Sequence, residues 1–250
     1  MPLMEHLSEL RRRLMWSGIT FLLAFLVCYH FSTRIYDFLA APLAHALVMR
    51  GEKPELIYTG LYEAFFTYIK VSLFAAAFLS FPVVATQLWM FIAPGLYKRE
   101  KAAMLPFLVA TPILFFLGGA MCYYIVFPAA WRFFLSFQTS GAGGDVQIAL
   151  MARVSEYLDT VMKLIFAFGL SFELPVLLTL LGRVGIVSSA SLKKYRRYAY
   201  VGCFVLAAFL APPDIPSQVM MASLVIFLFE ISLFAVKMVE PKIPVSGEDA

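Results

Sequence analysis

Six times along these 250 residues an apolar run approaches the length needed to cross a lipid bilayer. A helix needs about 20 apolar residues to traverse a hydrocarbon core of about 30 Å. The runs fall at about 15–31, 65–92, 105–131, 154–181, 198–211 and 218–236, and the fifth and sixth are short. They predict an all-α integral membrane protein with six transmembrane helices.

Composition closes off the soluble alternative. The chain is 62% hydrophobic and 14% charged, whereas soluble domains are nearer half apolar and a quarter charged. The polar segments between runs are too short to bury cores of their own, so residues 1–250 form a single membrane domain. The tail SGEDA lies within 238–250, which is expected to fray. The leader MPLMEHLSELRRRL mixes acids with bases and no small-residue cleavage site follows its apolar run, so it reads as a retained segment. Lys and Arg accumulate on the cytoplasmic side of a membrane. Thirteen of the twenty sit in the leader, the 93–104 and 182–197 loops and the C-terminal segment, which puts both termini in the cytoplasm.

Little suggests covalent chemistry. Cys28, Cys122 and Cys203 lie singly in apolar runs and read as packing residues. His6, His30 and His45 form no metal-ligand spacing. GAGG at 141–144 lacks the strand before and the Lys-Ser/Thr after that a phosphate loop requires, so a flexible loop is expected. Nor is there a nucleophile–base pair. The expectation is a non-enzyme with no cofactor and no metal.

The acids carry the information, because each one near a span costs free energy unless solvated or paired. Glu100 stands among Lys98, Arg99 and Lys101, just after Phe91 and Pro94. A surface pair with its neighbours, worth about 0–1 kcal/mol, and a carboxylate held ready for an incoming guanidinium are both open. Glu9, in HLSELRRRL, has Arg12 and Arg13 at i+3 and i+4. An intrahelical pair of about 0.2–0.5 kcal/mol is the plain account, yet Glu9 shares its side of the membrane with Glu100. Glu173 lies ten residues before Arg183, about 15 Å into the bilayer. There it must be protonated, paired or facing a wet groove, and Pro175 is expected to bend the helix beside it. Glu230, seven residues before Lys237, simply reaches the interface. Arg153, Glu156, Asp159 and Lys163 lie three or four apart on one helix face, which is expected to stay wet.

HLSELRRRL, AAPL (41–44), QLWMFIAPGLYKREK (87–101), VFP (126–128), FGLSFELPV (168–176) and APPDIPSQ (211–218) occur in that order. Together they resemble the TatC family, the multispanning subunit of the twin-arginine protein translocase, from residue 6 to about 237. The resemblance implies a curved, glove-like concave wall with both ends in the cytoplasm of a prokaryote. It implies recognition of the twin-arginine signal peptide of folded cargo, with transport driven by the proton-motive force. Glu9 and Glu100 match the acids that meet the consecutive arginines, and Arg11, Arg13, Phe91, Pro94 and Arg99 match neighbours in that region. Glu173 matches an intramembrane acid facing the groove of single-span TatA/TatB partners, with Gln218 and Asp214 near the last turn and Pro42 in the first external loop. Ala211 departs from a position often polar in the family, which leaves Gln218 and Glu173 as the expected partner contacts. Self-association and contact with membrane lipids are also expected, and nucleic acid is not. Without the resemblance, the alternative is a proton-coupled small-molecule transporter using Glu173 as relay. That class calls for facing intramembrane ionisable groups and repeated halves, whereas these acids gather at the cytoplasmic rim.

Overall fold

The computed structural model describes residues 3–92, 105–138, 150–211 and 214–240. Ten α-helices account for most of them: α1 Leu3–His30, α2 Ser32–Val48, α3 Glu63–Ile92, α4 Leu105–Met121, α5 Phe127–Leu135, α6 Val154–Ser171, α7 Leu174–Arg183, α8 Ser189–Lys194, α9 Arg196–Leu210 and α10 Ile215–Val239. A π turn, Cys122–Val126, joins α4 to α5. Among the described residues, five stretches are long and apolar enough to cross a membrane: His6–His30, Glu63–Phe91, Pro106–Leu135, Val154–Arg183 and Ile215–Val239. The sixth expected span is α9, whose 15 residues reach about 22 Å. Its course is nevertheless fixed by its neighbours. Ser189 of α8 donates from N and Oγ to Glu240, at 2.7 and 2.6 Å, which puts α8 at the C-terminal end of α10. The 25 residues of α10 carry its start about 37 Å away; α9 begins part-way along, where Arg196 pairs with Glu230 of α10, and runs on toward that start. We call the end holding the start of α1 and the finish of α10 the basic end, and the opposite one the far end.

The rods form an open series. α1 packs chiefly on α3, α3 on α4 and α6, α7 on α10, and α10 on α9. Only 6% of the α1 span window is buried, against 44% for α6–α7 and for α10. α1 and α9 are thus the edges of a wall whose core is a seam of Phe115, Phe127, Leu158, Phe168 and Met221. At the α4–α6 crossing the backbones nearly touch. A Cβ on Gly118 would lie 2.6 Å from the Phe168 carbonyl and 2.9 Å from Gly169 Cα. Close approach through small residues is how membrane helices gain packing when lipid is as apolar as leucine.

Prolines shape the rods, and each leaves a carbonyl without its usual donor. Pro42 lies inside α2 and does not break it. The carbonyl it strands is that of Phe38, four residues earlier, and Tyr123 Oη donates to it at 2.8 Å. The Tyr123 and Phe38 rings stack at 4.4 Å. Before Pro128 the ladder widens to the π turn, with Phe127 N–H bonding to Cys122 O. Before Pro175 the helix stops, and α6 gives way to α7 across Phe172 and Glu173, as the sequence led us to expect. A further difference lies in α1, where leader and first span are one continuous helix. Gly51 closes α2 with a φ of 76°, a conformation open chiefly to glycine.

The far end is fastened by a parallel bridge between Ile57 and Arg153. Glu63, opening α3, accepts from Thr59 N at 2.8 Å, Gly60 N at 3.1 Å and Ser155 Oγ at 2.7 Å, tying the segment before α3 to the start of α6. On α6, Arg153 pairs with Glu156 at 2.8 Å, and Asp159 pairs with Lys70 of α3 at 2.9 Å with both partly exposed. Glu230 pairs with Arg196 at 2.7 Å and accepts from Tyr200 Oη at 2.6 Å, in keeping with its interfacial reading. Cys28, Cys122 and Cys203 are free and buried.

Gly118→Ala should destabilise the fold by about 1–3 kcal/mol, since the clash is with backbone. Gly202→Ala, whose Cβ meets nothing within 4 Å, should be neutral or slightly stabilising; denaturant titration in micelles measures both. The bonds from Ser189 hold the Glu240 carboxyl below its ordinary range. That contribution is full above the unfolded-state pKa of about 4.3 and fades as pH falls through the lowered native value. The stability difference between the native chain and Glu240→Gln should therefore be flat at neutral pH and shrink on acidification.

Candidate functional site

At the basic end, α1 lays one edge on the last turns of α3. The spacing of Glu9, Leu10, Arg13 and Ser17 puts them on the shielded side, while Arg11 and Arg12 are exposed. Arg13 Nε donates to Glu9 Oε1 at 3.1 Å and Nη2 reaches the same oxygen. Arg13 Nη1 donates onward to Gln87 Oε1 of α3 at 3.3 Å. One turn away, the His6 ring stacks on Phe91 with centroids 4.4 Å apart. The plain intrahelical pairing of Glu9 is thus present, and it is made by Arg13 alone. Both bonds fall on Oε1, so Oε2 accepts none among the described residues. The structure brings Glu9, Arg13 and Phe91 together and leaves Arg11 outside the cluster. Pro94, Arg99 and Glu100 lie outside the described residues, in the 93–104 segment that follows Phe91 by two residues.

The second spot lies within the span-length α6–α7 rod. Glu173 stands between α6 and α7, its side chain half-buried, and Oε1 is fully buried with no partner among the described residues. The Thr111 hydroxyl of α4 lies close to the same carboxyl. Thr111 in turn accepts from Trp89 Nε1 of α3 at 3.2 Å, a buried bond. α3, α4 and the α6–α7 break therefore meet in a polar thread laid against the apolar patch of Ala85, Phe107, Val176 and Leu180.

Asp214 and Gln218 sit elsewhere. Asp214 caps α10, Oδ2 accepting from Ser217 N at 3.3 Å, while Oδ1 is buried without a partner among the described residues. Gly182 packs on Val236. Counting from that contact along antiparallel α7 and α10, Gln218 lies roughly 13 Å beyond Glu173 toward the far end. The two do not form one hydrogen-bonded site. Ala211 is buried, 8% exposed, which suits its apolar side chain. Pro42 lines a cavity at the far end.

His6, Gln87, Trp89 and Thr111 were not singled out from the sequence. The signal for Trp89 and Thr111 was available: an indole N–H in an apolar span must find an acceptor. His6 and Gln87 carried no such mark, since their partners are supplied by another helix.

Fold and polar spots define a multi-pass helical membrane protein built as an open wall. The family described as "Sec-independent protein translocase protein (TatC)" matches residues 5–223. A relative of that description from Magnetococcus marinus is 52% identical over 241 residues, covering 96% of this chain and 86% of the relative. One from Desulforapulum autotrophicum is 42% identical over 249 residues, covering 100% and 89%. A crystal structure described as the twin-arginine translocase receptor TatC superposes with a TM-score of 0.78 at 36% identity, covering 94% of this chain and 99% of that one. The same receptor solved in DDM gives 0.77 at 35% identity, covering 92% and 98%. The chain belongs to the TatC family and is a protein-transport subunit of a bacterial membrane.

Thr111→Val strips Trp89 of its buried acceptor and should cost about 1–3 kcal/mol, measured by denaturant titration. Trp89→Phe combined with Thr111→Val should cost less than the sum of the single changes, because the second removes a group the first has orphaned.

Proposed function

We propose that this chain is the signal-peptide receptor of a twin-arginine translocase and that its basic end, in the cytoplasm, receives two consecutive arginines on Glu9 and Glu100. The observation that carries the reading is the docking of α1 on α3 through His6 on Phe91 and Arg13 on Gln87. This holds Glu9 beside the helix end from which the segment bearing Glu100 departs. Arg13 fixes the Glu9 carboxylate through Oε1 and leaves Oε2 for a visiting guanidinium. Pro94 and Arg99 belong to the same receiving segment, and exposed Arg11 contributes attraction for anionic lipid. A charge-assisted hydrogen bond is worth about 1.5–3 kcal/mol, and lysine lacks the planar fork that engages a carboxylate twice.

The chain makes six crossings with both termini cytoplasmic, a reading supported by the distribution of the basic residues and by α9 lying along α10. Glu173 serves as the polar anchor for a single-span TatA/TatB-type subunit entering the groove. Its buried oxygen without a partner supports that role, and Gln218 and Asp214 mark a separate contact nearer the far end. Pro42 shapes the wall there. Energy comes from the proton-motive force.

Glu9→Ala and Glu100→Ala should each weaken binding of a twin-arginine peptide by about tenfold or more, and a Lys-Lys peptide should bind the native chain comparably weakly. Equal binding of Arg-Arg and Lys-Lys peptides, or unchanged binding to both variants, removes the receptor reading. Glu173→Ala should lose a co-purifying single-span partner while still binding the peptide; retained partner and transport would make its role structural only.

A further inference from the structure

We propose that the far end carries a built site for one anionic phospholipid, between α2 and the α4–α5 rod. Two adjoining cavities make it. The first, about 700 Å³, is lined by His45, Arg50 and Arg132 among apolar groups and, among the described residues, by no acid. The second, about 310 Å³, is almost wholly apolar, with Leu79, Phe116 and Ala120 on its walls. Phe38, Tyr123 and Tyr124 line both, so the charged chamber adjoins the apolar one.

The depth fits a lipid in the far half of the bilayer. A Cβ on Gly119 would lie 3.4 Å from Ile165, which stands eight residues, about 12 Å, beyond Glu173 toward the far end, and Arg132 lies 13 residues further along the same rod, on the water side of the slot. Charge fits as well. Arg50 is partly engaged, donating to Leu135 O and to Gln138 Oε1 at 3.4 Å. Arg132 is exposed, and its side chain makes no hydrogen bond or ion pair among the described residues. Two guanidiniums over an apolar slot match a phosphate with an acyl chain beneath it. The slot does not fit a helix, since one 5.4 Å turn of a rod 10 Å across occupies roughly 400 Å³. The lipid would fill the cavities on either side of the Tyr123–Phe38 contact that ties α2 to the rod.

The test is native mass spectrometry of the full chain with phosphatidylglycerol against phosphatidylcholine, together with a photoreactive phosphatidylglycerol. The native chain should retain phosphatidylglycerol roughly tenfold more tightly, the loss of one charged hydrogen bond being worth about that factor. Arg132→Gln should abolish the preference, and Ala120→Leu, which fills the slot, should weaken both lipids alike. The photoprobe on the unmodified chain, which needs no variant to fold, should label the peptide holding Phe38 or Tyr124. No headgroup preference, an unchanged preference in Arg132→Gln, or labelling elsewhere overturns the site. So does capture of a protein segment instead of lipid by a photocrosslinker placed at Phe38.

Discussion

A peptide group carried into hydrocarbon finds no water, so its hydrogen-bond partner has to be built in. Most of this architecture answers that demand. Where Pro42 strands the Phe38 carbonyl, Tyr123 reaches across from the neighbouring rod to supply the missing donor. Ahead of Pro128 the helix widens by a residue, and at Pro175 it ends and restarts. The same proline that interrupts the fourth rod sets Glu173 at the break, so its carboxyl stands where the ladder is already open. The demand extends to side chains, and Trp89 meets it through Thr111.

Because lipid competes on equal terms with apolar side chains, the rods have little drive to close into a ring. They associate where backbones approach, as at Gly118 and Gly169, or where polar groups reach across, as in Lys70–Asp159 and Arg13–Gln87. What results is a wall with two free edges. Such a wall leaves polar groups accessible along its height: a carboxylate at the basic end, another midway, and arginines at the far end.

Much of this was legible beforehand, for physical reasons. Span lengths follow from apolar runs, and the break beside Glu173 follows from Pro175, since both signals are local. The helical course of α2 through Pro42 was not, because a proline announces only the bond it removes; the group that replaces it sits on Tyr123, 81 positions away in sequence. The clip on Glu63 was missed for the same reason, as Ser155 is supplied by a distant element. Glu9 was readable as an acid with two possible partners, but choosing Arg13 over Arg12 required knowing which side of α1 faces α3. For Glu100, Arg99 and Pro94 the reading still rests on sequence and on the position of Phe91.

The central claim is that Glu9 and Glu100 converge at the basic end. A direct measure is the distance between spin labels at positions 9 and 100 in the reconstituted chain. The account predicts one short separation, narrowed when a twin-arginine peptide is present. A long or broad distribution that the peptide leaves untouched contradicts it.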